Sequence, residues 1–271
     1  MVAIGAQRSH ELLKASLHAT NCQMTQPAPE SKIRVVTWNC NGAFRKKWEH
    51  LASFQADVYV IQECEDPAIC SDTAYREWAA NHLWVGTSKN KGLGVFVTGS
   101  KRLSAVDLPH EPLKLFLPCL VDDWPLLAIW TKQANSPNFA YIGQLWKFIQ
   151  LHPTFLQHPG AMAVGDFNAN KIWDEWDRWW NHSDVVRELG EMGLHSCYHA
   201  HRGEEQGSET RPTYFQHRHL TKPFHIDFGF VGPQWNVGVG TSEQWLAYSD
   251  HMPIVFELTK PAPPASHPTG S

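Results

Sequence analysis

The sequence has no Cys-x-x-Cys pair, no Gly-x-Ser-x-Gly and no apolar run approaching the roughly 20 residues that cross a bilayer. Each absence removes a class. Without paired cysteines there is no zinc-ribbon or thioredoxin-like spacing. The six cysteines (Cys22, Cys40, Cys64, Cys70, Cys119, Cys197) are too scattered for the disulfide framework of a small secreted domain. Cys40 and Cys64 fall in or beside apolar strand-like runs, so buried reduced thiols and a reducing, cytoplasmic setting are expected. Without the Gly-x-Ser-x-Gly elbow, Ser249 lies two residues from His251 with no context for a serine nucleophile. The first thirty residues hold no apolar stretch of the kind a secretory leader needs. A basic excess is also missing: 23 Lys and Arg face 27 Asp and Glu, a net charge of −4. This argues against a broad basic face gripping long duplex DNA, and leaves room for a small basic groove.

What is present is apolar mass, 42% of 271 residues, enough to bury a core without disulfide staples. Residues 1–31 are polar and aperiodic and read as a tail, with a weak helical tendency over Glu11 to His18 and a linker at Gln26-Pro27-Ala28-Pro29-Glu30. Lys260-Pro261-Ala262-Pro263-Pro264 opens a second tail, 260–271. Between them, 32–259 reads as one domain in which apolar β-rich runs alternate with helical patterns. Strands are expected at Ile33–Trp38, Val58–Ile61, Val95–Val97, Leu126–Trp130, Ala161–Val164, Phe224–Val231 and Pro253–Leu258. Helical spacing relates Phe44, Trp48 and Leu51, then Ile142, Leu145, Trp146 and Ile149, then Val185, Val186, Leu189 and Met192. This order fits α/β layers, and periodicity alone does not separate one sheet from two.

Polar residues that could carry chemistry gather at the ends of these strands. Trp38-Asn39-Cys40-Asn41-Gly42 follows the first; its amides suit a hard cation or a phosphate oxygen, and equally an Asn-Gly turn. Glu63 follows Val60-Ile61-Gln62, a carboxylate at a strand mouth that suits Mg²⁺ or Mn²⁺ or simply begins a loop. In Gly165-Asp166-Phe167-Asn168 the glycine permits a bend, after which Asp166 could orient a water and Asn168 hold a phosphate oxygen; an ordinary Asp-x-Asn loop is the alternative. In Phe224-His225-Ile226-Asp227-Phe228, Asp227 faces opposite to its apolar neighbours. A lone acid in so apolar a strand calls for a partner, and His251 of Ser249-Asp250-His251 supplies one, for structure or for catalysis. Asp250 could bind metal.

Trp-Asn-x-Asn, Gln-Glu, Gly-Asp-Phe-Asn, His-Ile-Asp-Phe and Ser-Asp-His, in that order across residues 38 to 251, resemble the endonuclease/exonuclease/phosphatase (DNase I-like) superfamily of metal-dependent phosphoesterases. The resemblance implies a four-layer α/β sandwich with two packed mixed β-sheets flanked by helices. It implies Mg²⁺ or Mn²⁺ held by Glu63 with Asn39 and Asn41 close by and Asp250 near the metal. Asp166 would position or deprotonate water, Asn168 would hold the phosphate, and His251, oriented by Asp227, would stabilise the charge on phosphorus. The substrate would be a phosphate ester such as single-stranded nucleic acid or nucleotides, hydrolysed by a monomer with no membrane span. A sugar- or lipid-phosphate phosphatase and an inactive binding member are the rivals.

The chain departs from that pattern in places. The strand over Ala128 to Asn135 offers Lys132 where relatives carry neutral phosphate contacts. Cys64-Glu65 replaces the Thr-Lys of exonuclease III-type repair enzymes, which lowers the case for abasic-site repair. Arg45, Lys46 and Lys47 could meet a polyanion or form the solvated face of a first helix. Trp173, Trp176, Trp179 and Trp180 read as a packed loop or lid, or as a stacking platform. His195, His199, His201, His217, His219 and His225 lack zinc spacing, although with Arg211 and Arg218 they could bind phosphate. Arg211 to Phe215 could form a rim facing the substrate.

Overall fold

Period-2 burial sets the architecture. Along the first strand Ile33 and Val35 enter one apolar cluster and Val36 and Trp38 another, so both faces of this strand are covered. The computed structural model describes residues 32–133, 137–232 and 235–259. The assignments made above for 1–31, for 260–271 and for Ala134 and Asn135 lie outside them.

In chain order the strands are β1 (Lys32–Asn39), β2 (Val58–Cys64), β3 (His82–Ser88), β4 (Lys91–Val97), β5 (Leu103–Ala105), β6 (Phe116–Val121), β7 (Trp124–Trp130), β8 (Met162–Asp166), β9 (His195–Ser196), β10 (Tyr214–Phe215), β11 (Pro223–Phe224), β12 (Asp227–Val231), β13 (Trp235–Val239) and β14 (Ile254–Thr259). The helices are α1 (Thr73–Trp78), α2 (Ile142–Leu151), α3 (Pro153–Leu156), α4 (His182–Glu191), α5 (Cys197–Arg202) and α6 (Ser242–Trp245). One six-stranded sheet runs β13-β14-β1-β2-β4-β3 and the other β5-β6-β7-β8-β12-β9. Both are mixed, because β1–β2 and β7–β8 are parallel and the remaining pairs antiparallel.

The sheets pack face to face through Ile33, Val35, Val58, Val60, Leu126, Ala128, Met162, Val164 and Phe256. Helices α2 and α4 cover the outer face of the second sheet, where Leu145, Ile149, Val185 and Leu189 meet Leu127, Phe228 and Phe230. Phe44, Leu51, Tyr75 and Trp245 cover the outer face of the first. The result is the expected four-layer α/β sandwich. Among the described residues no helix is long and apolar enough to cross a membrane.

Several expected elements differ. Phe44, Trp48 and Leu51 lie on two 3₁₀ segments, not an α-helix. Ala43 and Gln55 bound the region in left-handed conformations and no side chain caps either segment, so the chain winds in short tight turns. The strand expected over 224–231 is broken: β11 pairs with β10 in a small separate sheet, and β12 begins only at Asp227. Strand β7 ends at Trp130, so Lys132 follows the strand. Strands β6, which contains Pro118, and β3, whose residues are half buried or exposed, lie outside the expected strands.

Gly165 lies beside Ile129 of the neighbouring strand β7 and against Gln62 of the other sheet. Its φ is +148°, and a Cβ there would lie 1.9 Å from the Ile129 carbonyl oxygen and 3.1 Å from Gln62 Nε2. Gly165→Ala is therefore expected to lower unfolding free energy by roughly 1–3 kcal/mol from overlap alone, with backbone strain added. Urea denaturation checks this, and an unchanged midpoint would contradict so close an approach.

Candidate active site

The site is the polar end of the layer between the sheets. The inward positions of β1 run Ile33, Val35, Thr37, Asn39; those of β2 run Val58, Val60, Gln62; those of β8 run Met162, Val164, Asp166. On antiparallel β12 the same face carries Val231, Gly229 and, at its start, Asp227. Each strand is thus apolar toward the centre and polar at one common edge. Thr37, Gln62, Asp166 and Asp227 are fully buried there, and Asn39 is 3% exposed.

Asp166 and Asp227 are direct partners across the β8–β12 ladder. His251 Nδ1 lies 2.9 Å from Asp227 Oδ2 and 3.2 Å from Oδ1, which fixes the ring proton on the nitrogen facing Asp227. The loop carrying His251 is tied to β1: Trp38 Nε1–H donates to its carbonyl (2.9 Å), and Ser249 Oγ accepts its N–H (3.0 Å) while donating to the Asn39 carbonyl (2.7 Å). Ser249 is a fully buried strut. Thr213, also fully buried, was not singled out in the sequence. Its Oγ1 accepts the N–H groups of Ile226 and Asp227 (3.0 and 3.1 Å) and its carbonyl that of Met252 (2.7 Å), so it joins the Asp227 strand to the His251 loop. No local motif marks such a threonine.

Asp166 receives three hydrogen bonds. Oδ1 accepts the Asn168 backbone N–H (2.9 Å); Oδ2 accepts from Asn39 Nδ2 and Asn168 Nδ2, both at 3.0 Å. Asn168 Nδ2 also donates to the Thr131 carbonyl (2.9 Å). Asn168 thus orients Asp166 with both its amide group and its backbone. Burial, reinforced by the Asp227 carboxylate, pushes the Asp166 pKa up to about 7 against the opposing effect of His251 and these donors. Burial alone would lower the His251 pKa, but Asp227 outweighs it and the ring is pushed up to about 9.

Glu63 reaches the cleft through an irregularity. The β2–β4 register shifts between Gln62 and Cys64, and Glu63 has φ +63°, a costly conformation for this side chain. Regular alternation would point Glu63 outward like Ile61; the bulge brings it to the cleft. Its Oε2 lies 2.6 Å from Lys91 Nζ. Asn41 and Asn168 are also left-handed, at φ 53° and 45°, which asparagine tolerates better. Asn39, Asn41, Glu63, Lys132, Asp166, Asn168, Asp250 and His251 all line one cleft of about 300 Å³, with Asp227 behind His251. Trp130, Tyr141 and Tyr214 complete its wall, and the Lys132 ammonium stands 4.4 Å from the Trp130 ring centre.

Two oxygen-rich sets could hold a cation. Among the described residues, Asp166, Asp227 and His251 form the group of acids and histidine whose ligand atoms lie within 4.8 Å of one another. There, however, Nδ1 is committed to Asp227, and Asp166 already takes three N–H donors. Glu63 and Asp250 with the Asn39 and Asn41 amides offer hard oxygen donors opening on the cleft, the chemistry Mg²⁺ and Mn²⁺ prefer. Asn39 Oδ1 accepts a single bond, from the Asn41 N–H (3.1 Å). The second set fits a divalent cation better.

Other expected contacts went elsewhere. Arg45 is paired with Glu65, and Lys47 Nζ donates to the Cys40 carbonyl (2.6 Å). Arg218 holds the Ala247 carbonyl (3.2 Å), and His199 pairs with Glu209 (3.0 Å). The tryptophan segment is not a packed lid: Trp173, Trp179 and Trp176 are 44%, 64% and 96% exposed, while Trp180 stacks on Phe139. Trp173 still meets the Phe224 ring at 5.0 Å. Cys40, Cys64, Cys119 and Cys197 are buried and unpaired, as expected.

The fold is DNase I-like. The solved structures it resembles include a 3′ phosphatase, NExo, from Neisseria bound to a product DNA hairpin (TM-score 0.62, 17% identity, covering 83% of this chain and 98% of that one). They also include truncated TDP2 from Caenorhabditis elegans (0.59, 15%, 84% and 98%) and an AP endonuclease from Archaeoglobus fulgidus (0.58, 13%, 83% and 98%). No protein-family model and no curated protein sequence matches the chain.

The dyad carries a direct consequence. With its pKa raised from 6.5 to about 9, the His251 ring is charged at neutral pH; its contribution to stability is fully present below about pH 6.5 and is lost as pH rises through about 9. Asp227→Asn is expected to bring that pKa down toward its ordinary value, read from ring-nitrogen NMR shifts across pH 5–10 (roughly the window of both values). A titration still centred near 9 in the variant would show that Asp227 is not the cause.

Proposed function

We propose that the chain is a Mg²⁺- or Mn²⁺-dependent phosphoesterase, acting as a phosphodiesterase or nuclease on nucleic acid or nucleotides. The carrying observation is the convergence, from both sheets, of a buried base, a charged imidazole and a hard-oxygen donor set on one cleft. Neighbours of the same fold named as a 3′ phosphatase with bound DNA, an exonuclease and an AP endonuclease support the reading. The unpaired buried thiols support a reducing compartment such as the cytoplasm.

Asp166, poised near neutrality, takes the proton of the attacking water. Asn168 and Asn39 hold its carboxylate in place. His251 presents its Nε2–H to the phosphate oxygens as negative charge builds, and Asp227 keeps the ring charged and oriented. Lys132 adds a second cation at the cleft. Glu63, Asp250, Asn39 and Asn41 would hold the divalent ion, which when bound supplies further charge neutralisation at the phosphate. Because both Asn168 amide bonds are spent on Thr131 and Asp166, phosphate contact falls to Lys132 and His251.

Asp166→Asn and His251→Ala are each expected to lower hydrolysis of methyl p-nitrophenyl phosphate by at least about a hundredfold while circular dichroism is unchanged. Wild-type turnover in both would refute the assignment. Lys132→Ala is expected to cost about tenfold, on the order of 1.4 kcal/mol in the transition state; no loss would make it a solvated lysine. Mn²⁺ is expected to raise the thermal midpoint of wild type but not of Glu63→Gln, and an equal rise in both would remove Glu63 from the metal site.

A further inference from the structure

The cleft opens beside a second cavity. Tyr141 and Asn168 line both. The second space holds about 410 Å³, within the roughly 300–1,000 Å³ of small-molecule pockets, and Trp173, Arg178, Trp180 and His182 also line it. Resting on the phosphoesterase reading, we propose that this cavity is a nucleobase subsite, taking the unpaired base of the nucleotide whose phosphate occupies the cleft.

Three observations favour a base. The walls combine aromatic rings with a guanidinium, the surface on which bases stack regardless of sequence. Asp174 is also among the lining residues, and its negative charge would disfavour a second phosphate while tolerating a neutral ring. Finally, its guanidinium is unspent. No carboxylate lies within ion-pair distance of Arg178 among the described residues, and its guanidinium stands 6.0 Å from the Trp180 ring centre.

The loop that presents this surface is fixed in advance. Asp174 accepts the N–H groups of His182 (3.0 Å) and Ser183 (3.3 Å) at the start of α4. Asn181 accepts the Glu175 N–H (2.9 Å) and donates to the Glu175 and Arg178 carbonyls (2.9 and 2.7 Å). Asn170 accepts the Ile172 N–H (3.1 Å) and donates to the His225 carbonyl (2.9 Å). Tyr141, at φ 52° and ψ −120°, is held by its N–H to the Lys132 carbonyl (2.9 Å), so a residue that lines both cavities is tied to the backbone of Lys132. Exposed indoles on so braced a segment form a preorganised stacking surface, which lowers the ordering cost of binding.

The test compares binding of adenosine 5′-monophosphate, cytidine 5′-monophosphate and ribose 5-phosphate to the full chain by calorimetry. The nucleotides are expected to bind at least about tenfold more tightly than the base-free sugar phosphate, and Trp173→Ala and Arg178→Ala to reduce that preference several-fold. Both variants should leave turnover of methyl p-nitrophenyl phosphate unchanged, because neither residue touches the reacting group. Equal wild-type affinity for all three ligands overturns the subsite, as does a preference that survives in both variants. If nucleotides are preferred while no phosphodiester is cleaved, the base subsite stands and the hydrolytic reading falls; if the small diester is cleaved with no nucleotide preference, the reverse holds.

Discussion

Two buried carboxylates, Asp166 and Asp227, face each other across neighbouring antiparallel strands at the inner end of the cleft. Like charges directly opposite on a ladder are destabilising in any sheet, and burial magnifies the cost. The surroundings offset it. His251 places a positive ring against Asp227, while Asn39 and Asn168 supply N–H donors to Asp166. Asp166 yields further by holding its proton up to about pH 7. The pair that burdens the fold is thereby what leaves one carboxylate able to take a proton near neutrality beside an imidazole that stays charged.

The sandwich is the means of assembling this arrangement. Each sheet has a parallel pair near its middle, and the two pairs bring strand ends from distant parts of the chain to one edge. Inward-facing alternation does the rest, since the positions that carry valine and isoleucine in the centre carry Asn39, Gln62, Asp166 and Asp227 at the edge. Gly165 leaves the Ile129 carbonyl of β7 the space that a Cβ would occupy. Strain is concentrated here too, at Glu63 above all, where a left-handed residue in a bulge redirects one acid into the cleft.

Much of this was legible in the sequence because strand alternation and site chemistry coincide. Apolar runs ending in Asn39, Glu63 and Asp166 marked strand mouths, and an acid among Ile226 and Phe228 required the partner that His251 provides. The parts that were not legible depend on tertiary geometry. Nothing in Gln62-Glu63-Cys64 announces a bulge. Thr213 looks like any loop threonine until its hydroxyl is seen bridging two backbones. Phe44 to Leu51 has helical spacing but is bounded by left-handed residues and winds as 3₁₀ turns. The tryptophans at 173–179 suggested packing by composition, and the structure leaves Trp173, Trp176 and Trp179 exposed.

The dependence of kcat/KM on pH for a small phosphodiester tests most directly whether this buried pair and its imidazole perform the chemistry. The expected profile is bell-shaped, with an acid limb that disappears with Asp166 and an alkaline limb near pH 9 that moves down in Asp227→Asn. A rate that climbs steadily through pH 9, or an alkaline limb unmoved by Asp227→Asn, would contradict the roles assigned to His251 and Asp227.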